Sequence, residues 1–397
     1  VNGSATQRRI RCLTAILAVA TTLLSSFRSV AGVDPGADIA VSRRNAIVTA
    51  VEKVSPAVVS ITVSQRKIVL EEFDPFVSPF FAPFLTPYRE RVVQIAGIGS
   101  GVIFDERGYI LTNDHVVRDA TQITVKLPDG RWGPGELRGA DSRTDIALVQ
   151  INPARVVKAE SRTKAQVPQG EVKGLPHARL GSSDDLMIGE WVIAIGNPFG
   201  FIINDPRPSV SVGVISAVDR TFTQVGGEQR VYRGMIQTDA AINEGNSGGP
   251  LVSALGEVVG ISTFIVSRTG GYEGLGFAIP INRAKKVVDE ILRYGRVREI
   301  WWGFQLEEVS PTFARSLGLK TDRGGLVVYA ILRDSAATRA GLKAGDLVTA
   351  VNGEEMMDTA GFDVATADIR VDDRVVLDVT RDSENVRIEF TAEEAPR

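Results

Sequence analysis

The sequence predicts a mainly β chain: a large unit of short antiparallel strands forming barrels or sandwiches, then a smaller α+β unit. Three observations carry this expectation. From Ala57 to about Pro280 the apolar residues come in short β-branched runs separated by turn residues, with no helical periodicity between them. Past Glu299 strand-like and helix-like patterns mix. Thirty-nine glycines and only 7% aromatic residues suit tight turns better than a helical bundle. With 397 residues, 44% of them hydrophobic, the chain can bury more than one core, since domains usually run ~100–200 residues.

The elements follow in chain order. Arg8, Arg9 and Arg11 precede an apolar run from Leu13 to Leu24, and Ser29, Val30 and Ala31 follow. A basic start, a short apolar stretch and small residues describe a secretory signal peptide cleaved after Ala31. An uncleaved membrane anchor and a buried first helix are the other readings, although a spanning helix needs ~20 apolar residues and Arg28 ends this run early. Residues 32–46 form an N-terminal segment, and 47–281 the large β unit. Its strand-like runs include Val58 to Val63, Ile123 to Leu127, Trp191 to Ile195 and Val258 to Phe264.

Pro75, Pro79, Pro83 and Pro87 recur four apart between aromatic residues, so residues 75–90 are expected to form a loop. That loop is either a docking or gating surface or it folds onto its own barrel. Gly97, Gly99 and Gly101 imitate a dinucleotide fingerprint, but Val102, Ile103 and Phe104 follow where a helix is required. A strand and hairpin are expected there, with no cofactor. A helix is expected over 282–298, with Asn282 as N-cap, Ala284, Val287, Val288, Ile291 and Leu292 on one face, and Gly295 as terminator. The last unit covers 299–393.

One Cys and two His exclude a zinc cage, an iron–sulfur cluster and an internal disulfide framework, so no metal is expected. Loss of residues 1–31 removes four arginines and no acid, moving the net charge from −3 to −7. That disfavours nucleic acid as a partner.

Gly245-Asn246-Ser247-Gly248-Gly249-Pro250 sets a serine where the backbone can bend and nothing blocks its hydroxyl. An esterase reading needs a His after the Ser, but His115 and His177 both precede Ser247. His115 follows an apolar strand and Asp145 opens another, and the order His115, Asp145, Ser247 is that of barrel-type serine proteases. The spacing puts His and Asp in one barrel and Ser in the next. His115 would take the proton of Ser247, Asp145 would hold the imidazole tautomer, and the amides of Gly245 and Ser247 would receive the oxyanion. His177 has no such context and reads as a surface or structural residue.

Thr112-Asn113-Asp114-His115-Val116, Thr144-Asp145-Ile146-Ala147-Leu148, Gly196-Asn197-Pro198-Phe199-Gly200, Gly245 to Leu251 and Gly276-Phe277-Ala278-Ile279-Pro280 resemble the motifs of the HtrA/Deg serine protease family from about residue 47 onward. The resemblance implies a trypsin-like double six-stranded β-barrel with one PDZ domain, a homotrimer or larger assembly, and no cofactor. It also implies degradation of unfolded polypeptides in the cell envelope, so an exported, periplasmic location. Trp301-Trp302-Gly303-Phe304 resembles a PDZ carboxylate loop, which would hold C-terminal peptides. By similarity to trypsin-like proteases Ala241 would floor the primary pocket, with Ile242, Thr263 and Phe264 narrowing its walls, favouring a small aliphatic residue.

Asp114 and Glu244 depart from the family pattern and place negative charge near the site. The stretches from Arg155 to His177 and from Phe201 to Pro208 look longer than the family's, and the second resembles a loop that reorders for activity. Two other readings stand: a catalytically idle peptide-binding scaffold, and a membrane-anchored signalling protease.

Overall fold

The computed structural model describes residues 43–72, 88–158, 174–197, 206–223, 230–243, 245–265, 273–312 and 325–396. The apolar N-terminal run, most of the proline repeat, Pro198 to Asp205 and Glu244 lie outside them. A first helix, α1 (Ala46–Val54), precedes the strands.

The first barrel uses β1 (Val58–Glu72), β2 (Tyr88–Ile103), β3 (Tyr109–Thr112), the one-turn helix α2 (Asp114–Val117), β4 (Ala120–Lys126), β5 (Arg131–Asp141) and β6 (Ile146–Ile151). Its strand order is β4-β1-β2-β3-β6-β5, and β4 pairs β5 to close the ring, while β7 (Val157–Lys158) extends β5. Ile61, Ile103, Ile110, Leu111, Ile146 and Leu148 are fully buried within the barrel strands. The glycine run from Gly97 to Gly101 lies inside β2 as a strand. A Cβ on Gly99 would meet the Val116 side chain at 2.5 Å, so that glycine admits α2 against the strand. The end of the proline repeat departs from the expected loop. Tyr88, Arg89 and Glu90 are strand residues paired to Glu72, Glu71 and Leu70, where none of the repeat's prolines interrupts the ladder.

The second barrel closes in the order β10-β13-β12-β11-β8-β9. Its strands are β8 (Trp191–Gly196), β9 (Ser209–Phe222), β10 (Tyr232–Thr238), β11 (Pro250–Ser253), β12 (Val258–Ile265) and β13 (Gly276–Pro280). Val192, Ala194, Ile215, Ile236, Leu251 and Val259 fill it.

Helix α3 (Ile281–Tyr294) ends as expected at Gly295, which takes the left-handed conformation at φ 74°. Its start differs. Pro280 closes β13 and occupies the N-cap position without a side-chain cap, so Asn282 lies in the first turn and donates to Ser182 at 3.3 Å instead.

The C-terminal unit contains β14 (Ile300–Trp301), β15 (Phe304–Val309), β16 (Gly325–Ile331), α4 (Ala336–Arg339), β17 (Leu347–Val351), β18 (Glu354–Glu355), α5 (Thr359–Thr366), β19 (Arg374–Arg381), β20 (Glu384–Thr391) and β21 (Glu393–Glu394). The sheet runs β15-β16-β17-β19-β20, leaving one edge of β15 unpaired among the described strands. Leu326, Val328, Val348, Val375, Leu377 and Phe362 form its core. Asp346, buried before β17, takes both arms of Arg381 at 2.7 Å.

Ion pairs tie this unit to the barrels. Arg370 reaches Asp141 at the end of β5 at 2.7 Å, with both side chains under 10% exposed. Arg283 pairs with Asp368 at 2.7 Å, Arg298 with Glu290 and Asp372 at 2.8 Å, and Arg233 with Glu354.

Candidate active site

Strand β3 delivers Asn113 to the rim of the first barrel, and the α2 turn then presents His115. Asp145 sits one residue before β6 with φ at 58°, a left-handed conformation that Asp tolerates better than most residues. Two donors pin its carbonyl: the Asn113 side-chain amide at 2.9 Å and the Asp114 backbone amide at 3.2 Å. Its fully buried carboxylate therefore has a fixed direction. Oδ2 meets His115 Nδ1 at 2.8 Å and accepts from the Thr263 hydroxyl at 2.7 Å. Oδ1 accepts from the His115 backbone amide at 3.0 Å and pairs with Arg230 at 2.6 Å. This arrangement favours the imidazole tautomer with its proton on Nδ1, leaving Nε2 able to act as a base.

Ser247 lies on the turn before β11. Ser100 of the first barrel clamps that turn: its backbone amide donates to the Ser247 carbonyl at 2.9 Å, and its hydroxyl to the Gly245 carbonyl at 2.6 Å. The Asn197 amide donates to the same hydroxyl at 2.7 Å. Gly248 has φ +85°, and a Cβ there would lie 2.2 Å from the Ser100 carbonyl oxygen. Gly248→Ala is expected to displace the nucleophile turn, since left-handed backbone alone costs an L-residue roughly 1–2 kcal/mol. The variant should lose casein cleavage and fluorophosphonate labelling while the rest of the chain still folds; wild-type labelling rates would contradict this.

The Ser247 hydroxyl donates to the Thr263 carbonyl at 2.9 Å. Among the described residues it makes no hydrogen bond to His115. Thr263 therefore holds both remaining members of the constellation, Asp145 through its hydroxyl and Ser247 through its carbonyl. The backbone amides of Gly245 and Ser247 have no acceptor among the described residues.

The expected pocket residues separate. The Ala241 carbonyl accepts from the Ser211 hydroxyl at 2.7 Å. Ile242 is buried in the core of the second barrel, in one cluster with Ala240 and Ile236. Thr263 spends its hydroxyl on Asp145. The Phe264 ring packs on Tyr232 at 4.7 Å and Phe277 at 5.2 Å. His177 is exposed, its ring beside the Leu175 carbonyl at 3.2 Å.

In the C-terminal unit Trp301 lies in β14, and Gly303 turns the chain at φ 69° into Phe304 of β15. Trp302 stacks its edge on Phe362 of α5 at 5.4 Å and approaches Phe304 at 6.1 Å. Glu308 near the other end of β15 accepts from the Thr359 hydroxyl at 2.6 Å and its amide at 2.9 Å, and these bonds hold its carboxyl below the usual range. β15 and α5 are thus joined by aromatic contacts at one end and by a hydrogen-bonded bridge at the other.

Three residues at the site were not singled out in the sequence: Ser100, Arg230, and Tyr232, whose hydroxyl approaches Asp145 Oδ2 at 3.4 Å. Asp114 was the available signal, since a buried acid beside a second acid calls for a cation. Nothing local says which arginine answers.

Two closed six-stranded barrels, a Ser, His and Asp gathered on their facing loops and a following small α+β unit define a trypsin-like serine peptidase with an attached PDZ-type module. The trypsin-like peptidase domain family matches residues 99–261, and the PDZ domain family residues 303–391. The chain is 37% identical over 358 residues to the probable periplasmic serine endoprotease DegP-like of Ectopseudomonas mendocina, covering 86% of this chain and 69% of that one. It is 36% identical over 369 residues to the probable periplasmic serine protease do/HhoA-like of Haemophilus influenzae, covering 89% and 73%. The solved HtrA-type protease AlgW with decapeptide superposes with a TM-score of 0.60 at 34% identity, covering 88% of this chain and 99% of that one. The chain belongs to the HtrA/DegP-type family of periplasmic serine endoproteases.

Proposed function

We propose that this protein is an ATP-independent endopeptidase that degrades unfolded or misfolded envelope proteins through His115, Asp145 and Ser247, under control of its PDZ domain. The observation that carries the reading is the 2.8 Å bond from His115 Nδ1 to a fully buried Asp145, with Thr263 joining Asp145 to Ser247. In the reaction the Ser247 hydroxyl leaves the Thr263 carbonyl, gives its proton to His115 Nε2 and attacks the scissile carbonyl. The Gly245 and Ser247 amides take the oxyanion, and losing one such donor typically costs ~10²–10³ in rate. His115 then protonates the leaving amine, and water repeats the sequence on the acyl-enzyme.

A substrate or activator C-terminus would add a strand to the open edge of β15, its carboxylate on the turn of Trp301, Trp302, Gly303 and Phe304. Residues 1–31 would direct export and be removed, and the relatives' periplasmic naming supports that location. Among the described residues no helix is long and apolar enough to cross a membrane. A homotrimer or larger assembly is expected.

The test is casein hydrolysis by the wild type and Ser247→Ala, with and without a peptide ending in apolar residues. Cleavage by the wild type alone, accelerated by peptide, is expected. No cleavage under either condition would favour the peptide-binding scaffold, a reading to which the hydroxyl held on Thr263 lends support.

A further inference from the structure

Arg230 takes no part in the steps above, yet it touches the candidate site more closely than any other cation described. It lies two residues before Tyr232, at the entry to β10, and is 6% exposed. Nη1 lies 2.6 Å from Asp145 Oδ1 and donates to the Tyr232 hydroxyl at 3.1 Å. Nη2 lies 3.5 Å from Asp114 Oδ2. Asp114 and Asp145 are themselves 3% and 0% exposed. Arg118 closes the far side of Asp114, with Nε at 3.0 Å and Nη2 at 2.7 Å.

A carboxylate taken out of water needs a charge partner and filled hydrogen bonds, or it turns away from its position. Here two of them lie side by side, one holding the His115 imidazole, and of the two guanidiniums only Arg230 spans both acids. A planar fork can do this where a point charge cannot. Resting on the protease reading above, we infer that Arg230 is a positioning residue for Asp145, and that Asp114 creates the need for it. By fixing Oδ1, Arg230 keeps Oδ2 turned to His115 Nδ1. Without it, Oδ1 retains the His115 backbone amide at 3.0 Å, and the Asp114 charge pushes the carboxylate off line.

The test compares Arg230→Met, Arg230→Lys, Asp114→Asn and the double variant Arg230→Met/Asp114→Asn. Steady-state kinetics on a peptide substrate gives one readout. The other is the isotope-labelled imidazole spectrum, which reports the His115 Nδ1 proton directly. The chain has two histidines, and His177→Gln removes the other signal.

Arg230→Met should lower kcat about 100-fold, less than the ~10⁴ attached to the acid itself, with KM within about twofold. Its Nδ1 proton signal should broaden. Asp114→Asn alone should stay within about threefold of wild type, and the double variant should recover at least about tenfold over Arg230→Met, as coupled neighbours do. Equal losses with and without Asp114, or an Arg230→Met that keeps both kcat and the imidazole signal, would overturn the inference. Should Arg230→Met fail to fold, Arg230→Lys against Arg230→Lys/Asp114→Asn carries the same comparison. If the wild type cleaves nothing, the protease reading falls by itself, while the imidazole spectrum still decides for Arg230.

Discussion

Asp145→Asn is expected to lower kcat about 10⁴-fold while the fold survives, the size of effect seen when a triad aspartate becomes an amide. The reason lies in which atoms face it. Oδ2 accepts from both the His115 ring at 2.8 Å and the Thr263 hydroxyl at 2.7 Å, and Oδ1 faces Arg230 and the His115 amide. An asparagine has one acceptor oxygen for these two sets of donors. With Arg230 claiming the oxygen, the NH₂ group turns to His115 and forces the proton onto Nε2, where it cannot serve as a base. Thermal unfolding within a few degrees of wild type together with a rate loss below tenfold would contradict this account.

Asp141→Ala is expected to loosen the PDZ domain from the barrels and to cost about 3–5 kcal/mol, because it leaves Arg370 charged and buried without its partner. Burial by itself would push the Asp141 carboxyl up, but the Arg370 and Arg143 guanidiniums more than offset it and hold the group below the ordinary range. A lowered folded value means the pair stabilises the docked form fully above the unfolded carboxylate range, about pH 4. Its contribution is lost as pH falls through the lower folded value. Calorimetry of wild type and Asp141→Ala between neutral pH and pH 3 checks both points. The variant should show a separate, earlier PDZ transition at neutral pH, and the difference between the two proteins should shrink on acidification. A single unchanged transition in the variant would remove the pair from any role in docking.

How far the sequence could be read follows from the range of each interaction. His115, Asp145 and Ser247 could be singled out because their order and flanking motifs are properties of the chain itself. The strands followed from β-branched runs that no helical pattern interrupts; those runs left barrels and sandwiches open, and the double barrel came from the resemblance to the HtrA/Deg family. An apolar residue next to Ala241 suits a pocket wall and a barrel interior equally, so the burial of Ile242 in the second barrel's core could not be read from the chain. Asn282 is a good capping residue, yet Pro280 ends β13 so near the helix that no extended position is left for it. Arg230 and Tyr232 reach Asp145 from 85 and 87 residues away, and no pattern in a single sequence marks such a pairing.

Thr263 has a consequence for how activity could be graded. Its side chain restrains the acid while its main chain restrains the nucleophile, so one residue of β12 carries both. The two restraints pull in opposite senses: attack requires the Ser247 hydroxyl to leave that carbonyl, while the imidazole needs Asp145 kept in place. A displacement of β12 that frees the nucleophile therefore also loosens one of the acid's supports, so readiness to attack is traded against steadiness of the base.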